Sequence, residues 1–131
     1  MLEIEPGRGV GPIILGMRKS EVRSVFNERV VYEDWMQQGS SDANFHGLRL
    51  DFAESPSFRL IRITVHCRED ATLFGRTLTR WKKSRLVLRF EESLIHYAVT
   101  NHGDLNVPGM TLSFNEKNRL SWVEVYPLGT T

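Results

Sequence analysis

The 131-residue chain is predicted to fold as an α+β protein: an antiparallel sheet of about six strands, with two helices on one face. Three observations lead there. The first is an internal repeat. Gly47–Phe52 matches Gly109–Phe114 at an offset of 62 residues, Leu60–His66 matches Leu120–Tyr126 at 60, and Leu15-Gly16 matches Phe74-Gly75 at 59. Three segments in the same order, with offsets agreeing within three residues, point to two helix-plus-strands units, at about 10–68 and 72–127 of one domain spanning 1–131. The second is that each half shows a helical rhythm followed by alternating strands, rather than strands interleaved with crossover helices. The third is that the alternation is one-sided, as in an antiparallel sheet with one buried and one solvated face.

Each element has its own warrant. Met17, Glu21, Val22, Val25 and Phe26 follow a helical spacing, with Val22, Val25 and Phe26 as a narrow apolar stripe and Arg18 or Ser20 near the start. Arg29–Trp35 is β-branched and aromatic, hence a strand, and the polar run Gln37–Asp42 is a turn. Gly47–Ala53 sets Leu48, Leu50 and Phe52 against Arg49 and Asp51, and Ile61, Ile63, Val65 and Cys67 alternate along the next strand. In the second half, Thr77 or Thr79 caps a helix running to about Phe90, with Leu78, Trp81, Arg85 and Leu88 on one face. Leu94–Thr100 reads as a strand and Asn101–Gly109 as a loop. Met110–Phe114 and Leu120–Tyr126 then flank a hairpin turn at Asn115–Asn118.

Composition removes several function classes. A chain this long, with 40% hydrophobic residues, buries a real core. One cysteine excludes an internal disulfide framework and a multi-cysteine zinc site, and the net charge of +1 gives no bulk attraction to nucleic acid or anionic membrane. The start, Met1-Leu2-Glu3-Ile4-Glu5-Pro6, has no apolar signal region, and no window is apolar enough for a membrane span. The expected location is the cytoplasm.

Specific chemistries fare no better. Gly11-Pro12-Ile13-Ile14-Leu15-Gly16 has phosphate-loop glycine spacing, but Met17-Arg18 stands where Lys-Ser/Thr is needed, and Pro12 removes an N–H. A glycine-bearing turn feeding a short buried Ile13–Leu15 segment is the expectation. His46, His66, His96 and His102 include no helical ligand pair, and Cys67 beside His66 faces the opposite side of a strand. Cys67 lies on the apolar alternation and reads as a buried structural thiol. The acid pairs Glu33-Asp34, Glu69-Asp70 and Glu91-Glu92 sit at element ends, as solvated charge. Neither a catalytic set, a cofactor nor a metal is expected.

Two surfaces remain. Residues 76–89 carry six basic side chains and no acid, leaving −5 on the rest of the chain. On a helix, Arg80, Lys83 and Arg85 could meet phosphates while Trp81 stacks on a base. The other surface is the outer sheet face. If Leu48, Leu50, Phe52, Ile61, Ile63 and Val65 point to the helices, Arg49, Asp51, Arg62 and His66 point away. By the repeat, Trp122, Glu124 and Tyr126 join them. Arginines, aromatics and flanking acids on a flat sheet have the composition of a protein interface.

The segment Gly9-Val10-Gly11-Pro12-Ile13-Ile14-Leu15-Gly16-Met17, followed by Ser20-Glu21-Val22, resembles the G-x-G-x-I-x-L-G-M-(S/T)-x-x-E-V start of small bacterial α+β proteins. Gly16-Met17 with Glu21-Val22 is similar to the helix start of beta-lactamase-inhibitor-like domains and small outer-membrane assembly lipoproteins. Arg18 stands where those have Ser or Thr, so the usual cap is missing. The inhibitor is a tandem of such units and binds an enzyme through a sheet face. A cytoplasmic member of this type looks like an immunity protein, which neutralises a cognate toxin domain by binding it. The resemblance thus implies a protein partner; the missing catalytic set adds the expectation of no enzymatic activity, the lack of an apolar window that of no membrane contact, and the basic run 76–89 leaves nucleic-acid binding as the alternative. The resemblance assigns no individual binding residue.

Overall fold

The fold was analysed in a computed structural model that describes residues 2–26, 42–45, 48–54 and 56–129. Alternation builds the larger sheet. Leu48, Leu50, Ile63, Val65, Met110, Leu112, Val123 and Val125 are all withdrawn from solvent on one face, while Arg49, Arg62 and His66 on the other are exposed. In chain order the elements are β1 (Leu2–Glu5), β2 (Gly9–Val10), β3 (Ile13–Ile14), α1 (Lys19–Phe26), β4 (Asp42–Phe45), β5 (Leu48–Phe52), β6 (Leu60–His66), β7 (Ala71–Leu73) and β8 (Arg76–Thr77). A 3₁₀ turn (Leu78–Arg80), α2 (Lys83–Glu92), β9 (Ala98–Val99), β10 (Leu105–Val107), β11 (Met110–Phe114) and β12 (Leu120–Val125) follow.

These strands form two sheets where a single sheet of about six was expected. The larger has seven strands in the order β4-β5-β6-β12-β11-β10-β9, all pairs antiparallel; the smaller has five, β3-β2-β1-β7-β8. Within the smaller sheet β1 and β7 run parallel, with Leu2 opposite Ala71 and Ile4 opposite Leu73. Its strands are two to four residues long, too short to carry a periodic signal. Ile4, Val10, Ile13, Ala71 and Leu73 from this sheet, Val22 from α1, and Leu86 and Phe90 from α2 join the inner face of the larger sheet in one core. No described helix is long and apolar enough to cross a membrane.

Two strand pairs contain the same irregularity. Asp51 pairs with Arg62 but Phe52 with Leu60, so Ile61 is an extra residue. Likewise Ser113 pairs with Trp122 but Phe114 with Leu120, leaving Ser121 unpaired. A bulge of this kind shifts the alternation by one. It puts Leu60 in the core and leaves Ile61 45% exposed, which corrects the inward set predicted from strict alternation. The two leucines are held alike: Leu60 N–H donates to Met17 O at 2.8 Å, and Leu120 N–H to Trp81 O at 3.1 Å. The first residue of each helix also lies over the phenylalanine closing the adjacent middle strand, with Lys19 Nζ 5.5 Å from the Phe52 ring and Lys83 Nζ 5.8 Å from that of Phe114. Ahead of these meanders the halves differ. Three strands precede α1, whereas β7, β8 and a 3₁₀ turn precede α2.

The second helix starts later than expected. Trp81 and Lys82 are extended (φ −89°, ψ 131° and φ −113°, ψ 153°), because Trp81 O accepts Leu120 N–H and Lys82 bridges to Arg119. Helical propensity over 77–82 thus yields to pairing with β12, and neither Thr77 nor Lys82 makes a side-chain cap. The buried stripe of α2 is Leu86 and Phe90, one turn apart, and Leu88 is 49% exposed. In α1, Val22 is buried and Val25 is 37% exposed. Of the strand expected over Leu94–Thr100 only Ala98–Val99 forms, and the expected loop before Gly109 contains β10. The strand and turn expected over 29–35 and 37–42 lie outside the described residues, save Asp42, which opens β4.

One contact fastens the β10–β11 turn to the β1–β2 turn. Gly109 O accepts Gly7 N–H at 3.0 Å and Tyr126 N–H at 3.1 Å. Gly109 has φ +80°, and a Cβ there would fall 2.3 Å from Gly7 N. Gly109→Ala combines a left-handed backbone with a clash against main chain, and is expected to lower stability by at least about 2 kcal/mol. A urea midpoint within error of the parent would refute this.

Candidate functional site

The outer face of the seven-stranded sheet is built by register. Arg49 stands opposite Thr64, Thr64 opposite Glu124, Glu124 opposite Thr111 and Thr111 opposite Asn106, giving one polar row across five strands. On either side of it, Asp51 faces Arg62 and His66 faces Trp122. Arg49, Asp51, Arg62, Thr64, His66, Trp122 and Glu124 line a depression of about 290 Å³ that opens to solvent. Six of the seven outer-face residues picked from the sequence therefore share one concavity.

Asp51 organises it. This carboxylate is buried although it faces outward, accepting Arg62 Nε–H at 2.8 Å and Arg49 Nε–H at 3.4 Å. Its hydrogen bond holds the Arg62 guanidinium above the ordinary arginine range; burial opposes the shift, and the charges of Asp51 and Glu124 add to it. One carboxylate thus draws two guanidinium groups together, Arg62 by the shorter bond. Arg49 and Arg62 balance Asp51 and Glu124 in formal charge, so the depression exerts little net pull.

Tyr126 is the seventh residue and does not line the depression. Its hydroxyl donates to Thr111 Oγ1 at 2.7 Å, and Thr111 Oγ1 donates to Asn106 Oδ1 at 2.8 Å. Thr64, Thr111, Asn106 and Ser113 were missed in the sequence reading. Each occupies an outward position in the same alternation, which was the available signal, but small polar residues do not stand out in composition. Ser113 Oγ is buried opposite Trp122 with no hydrogen-bond partner among the described residues.

The basic stretch is arranged differently from the expectation. Arg80 lies in the 3₁₀ turn, Lys83 opens α2 and Arg85 is two residues on, so the three do not share one helix. Trp81 is 4% exposed, its indole Nε1–H donates to Leu73 O at 3.0 Å, and the Arg76 guanidinium lies 4.6 Å from its ring. It has no free face for a base. Cys67 is partly buried at the end of the β6 alternation, and its N–H donates to Ser121 O. Among the described residues no three His, Cys, Asp or Glu side chains gather as a metal-ligand set; His46 and the pair Glu33-Asp34 lie outside them. Of the other acid pairs, Asp70 is bound by Arg68, whose hydrogen bond holds it below the usual carboxylate range, and Glu91 accepts the Tyr97 hydroxyl.

Comparison with known proteins finds no match among family models, curated proteins or solved structures.

Burial pushes the Cys67 thiol up, so its thiolate fraction at pH 8 is below that of the unfolded chain. Iodoacetamide should modify Cys67 several-fold more slowly in the native protein than in urea, with the gap closing as pH rises past the folded thiol's pKa. Equal rates at pH 8 would mean an accessible, unperturbed thiol.

Proposed function

We propose that the chain is a non-enzymatic protein-binding module that neutralises a cognate bacterial toxin domain in the cytoplasm, as an immunity protein. The observation that carries this reading is the convergence of Arg49, Asp51, Arg62, His66, Trp122 and Glu124 on one depression of the outer sheet face. Arginine and tryptophan are the residue types that dominate binding energy at interface centres, and here Asp51 already orders both arginines. Ordering before contact reduces the entropy lost on association. The tandem meanders and the Gly16-Met17 helix start lend the reading further support through their resemblance to inhibitor-like domains. Tyr126 serves at the edge of this surface through its bond to Thr111. The alternative, nucleic-acid binding through Arg80, Lys83 and Arg85, keeps its charge but loses Trp81 as a stacking platform.

The test is co-purification of the tagged chain with the product of the neighbouring gene, followed by titration of variants. Trp122→Ala and Arg62→Ala are each expected to weaken the complex by at least about tenfold, as hot-spot truncations do, without shifting the melting transition by more than a few degrees. Lys117→Ala, on the β11–β12 turn, should leave affinity unchanged. Affinities within twofold of the parent for both face variants would end this reading.

A further inference from the structure

A second concavity lies on the helix side of the molecule, away from the outer sheet face. It measures about 110 Å³ and is lined by Arg76, Trp81, Arg85, Leu88, Arg89 and Glu92. Arg85 and Arg89 are one turn apart on α2 and so share a helix face, where like charges repel. Arg76 reaches them from β8. Two of the three guanidinium groups are held on aromatic rings: Arg76 lies 4.6 Å from the Trp81 ring and Arg89 5.1 Å from that of Phe74. Phe74 and Trp81 are themselves edge-packed, with ring centroids 6.3 Å apart, so the platforms are parts of one aromatic cluster.

Four arginines elsewhere in the described structure meet carboxylates, Arg8 with Glu5, Arg49 and Arg62 with Asp51, and Arg68 with Asp70, while Arg59 donates to the Gly16 carbonyl instead. Arg76, Arg85 and Arg89 have no such pair among the described residues, although Glu92 lines the same cleft. Stacking occupies the face of a guanidinium and leaves its N–H edge for oxyanions, which it grips bidentately. Two such edges, with the Arg85 guanidinium lining the same space of a few water molecules, match a single tetrahedral oxyanion.

We infer that Arg76, Arg85 and Arg89 form a binding site for one terminal phosphoryl group, as free phosphate or as a small phosphomonoester. Trp81 and Phe74 hold two of the arginines in place, and Leu88 gives the rim an apolar edge for the rest of an ester. Glu92 opposes the anion and sets the affinity low. The site is separate from the outer-face depression and does not depend on the protein-binding reading.

The experiment follows the Trp81 indole N–H resonance of the full chain by NMR at pH 7 and constant ionic strength. Inorganic phosphate is expected to produce a saturable shift that matched sodium chloride does not. Arg85→Gln and Arg89→Gln, both at exposed helix positions, should each raise the apparent Kd at least fivefold. Glu92→Gln should lower it, a gain that a merely structural role would not produce. Phenyl phosphate separates the sources: tighter binding than phosphate assigns the site to phosphomonoesters, and equal binding to the free ion. The proposal is overturned if the shift is non-saturating or reproduced by chloride, or if Arg85→Gln and Arg89→Gln leave it unchanged. It is overturned too if Glu92→Gln weakens binding, or if an oligothymidylate moves the resonance while phosphate does not.

Discussion

The antiparallel pairing of β6 with β12 is the constraint on which the rest of this structure depends. Ile63–Val125 and Val65–Val123 are consecutive inward pairs on the seam between the two meanders, and all four side chains are fully buried. Between them, Thr64–Glu124 faces outward, and His66–Trp122 does so at one end. A strand has period two, so one register decides both faces at once: a slip of a single residue would bring Glu124 and Trp122 inward and dissolve core and depression together. The β1–β7 pair makes a second seam between the halves, in the smaller sheet.

The bulges at Ile61 and Ser121 translate that register into contact with the helices. Each turns a leucine inward at the start of its strand and frees backbone there to bond the segment ahead of a helix, Gly16-Met17 for Leu60 and Trp81 for Leu120. The second of these bonds is what keeps Trp81 out of the helix and its indole in the core. The buried indole then becomes the platform for Arg76. A distortion in the large sheet thereby shapes the helix-side cleft, through main-chain hydrogen bonds.

Much of the outer face was legible in the sequence because its residues obey the same alternation that predicts the strands. Arg49, Arg62 and His66 fall opposite Leu48, Leu50 and Val65 in phase, and the repeat carried that phase to Trp122 and Glu124. The burial of Asp51 was not legible, since it depends on Arg49 and Arg62 arriving from two strands. Tyr126 has the right phase but lies beyond the last β12 pair, and it turns toward Thr111. The bulges escaped for a different reason. An inserted residue leaves no compositional mark when the neighbours, Leu60 and Ile61, are equally apolar.

By itself the sequence determined the α+β class, the one-sided alternation of the long strands and the charge imbalance of residues 76–89, because these follow from local periodicity and composition. The tertiary structure alone decided that the strands divide into two sheets, that the basic stretch is broken at Trp81, and which arginines meet a carboxylate. These are outcomes of pairing between segments far apart in the chain. Short strands and extended turns draw their hydrogen bonds from distant partners, and no local pattern records who those partners are.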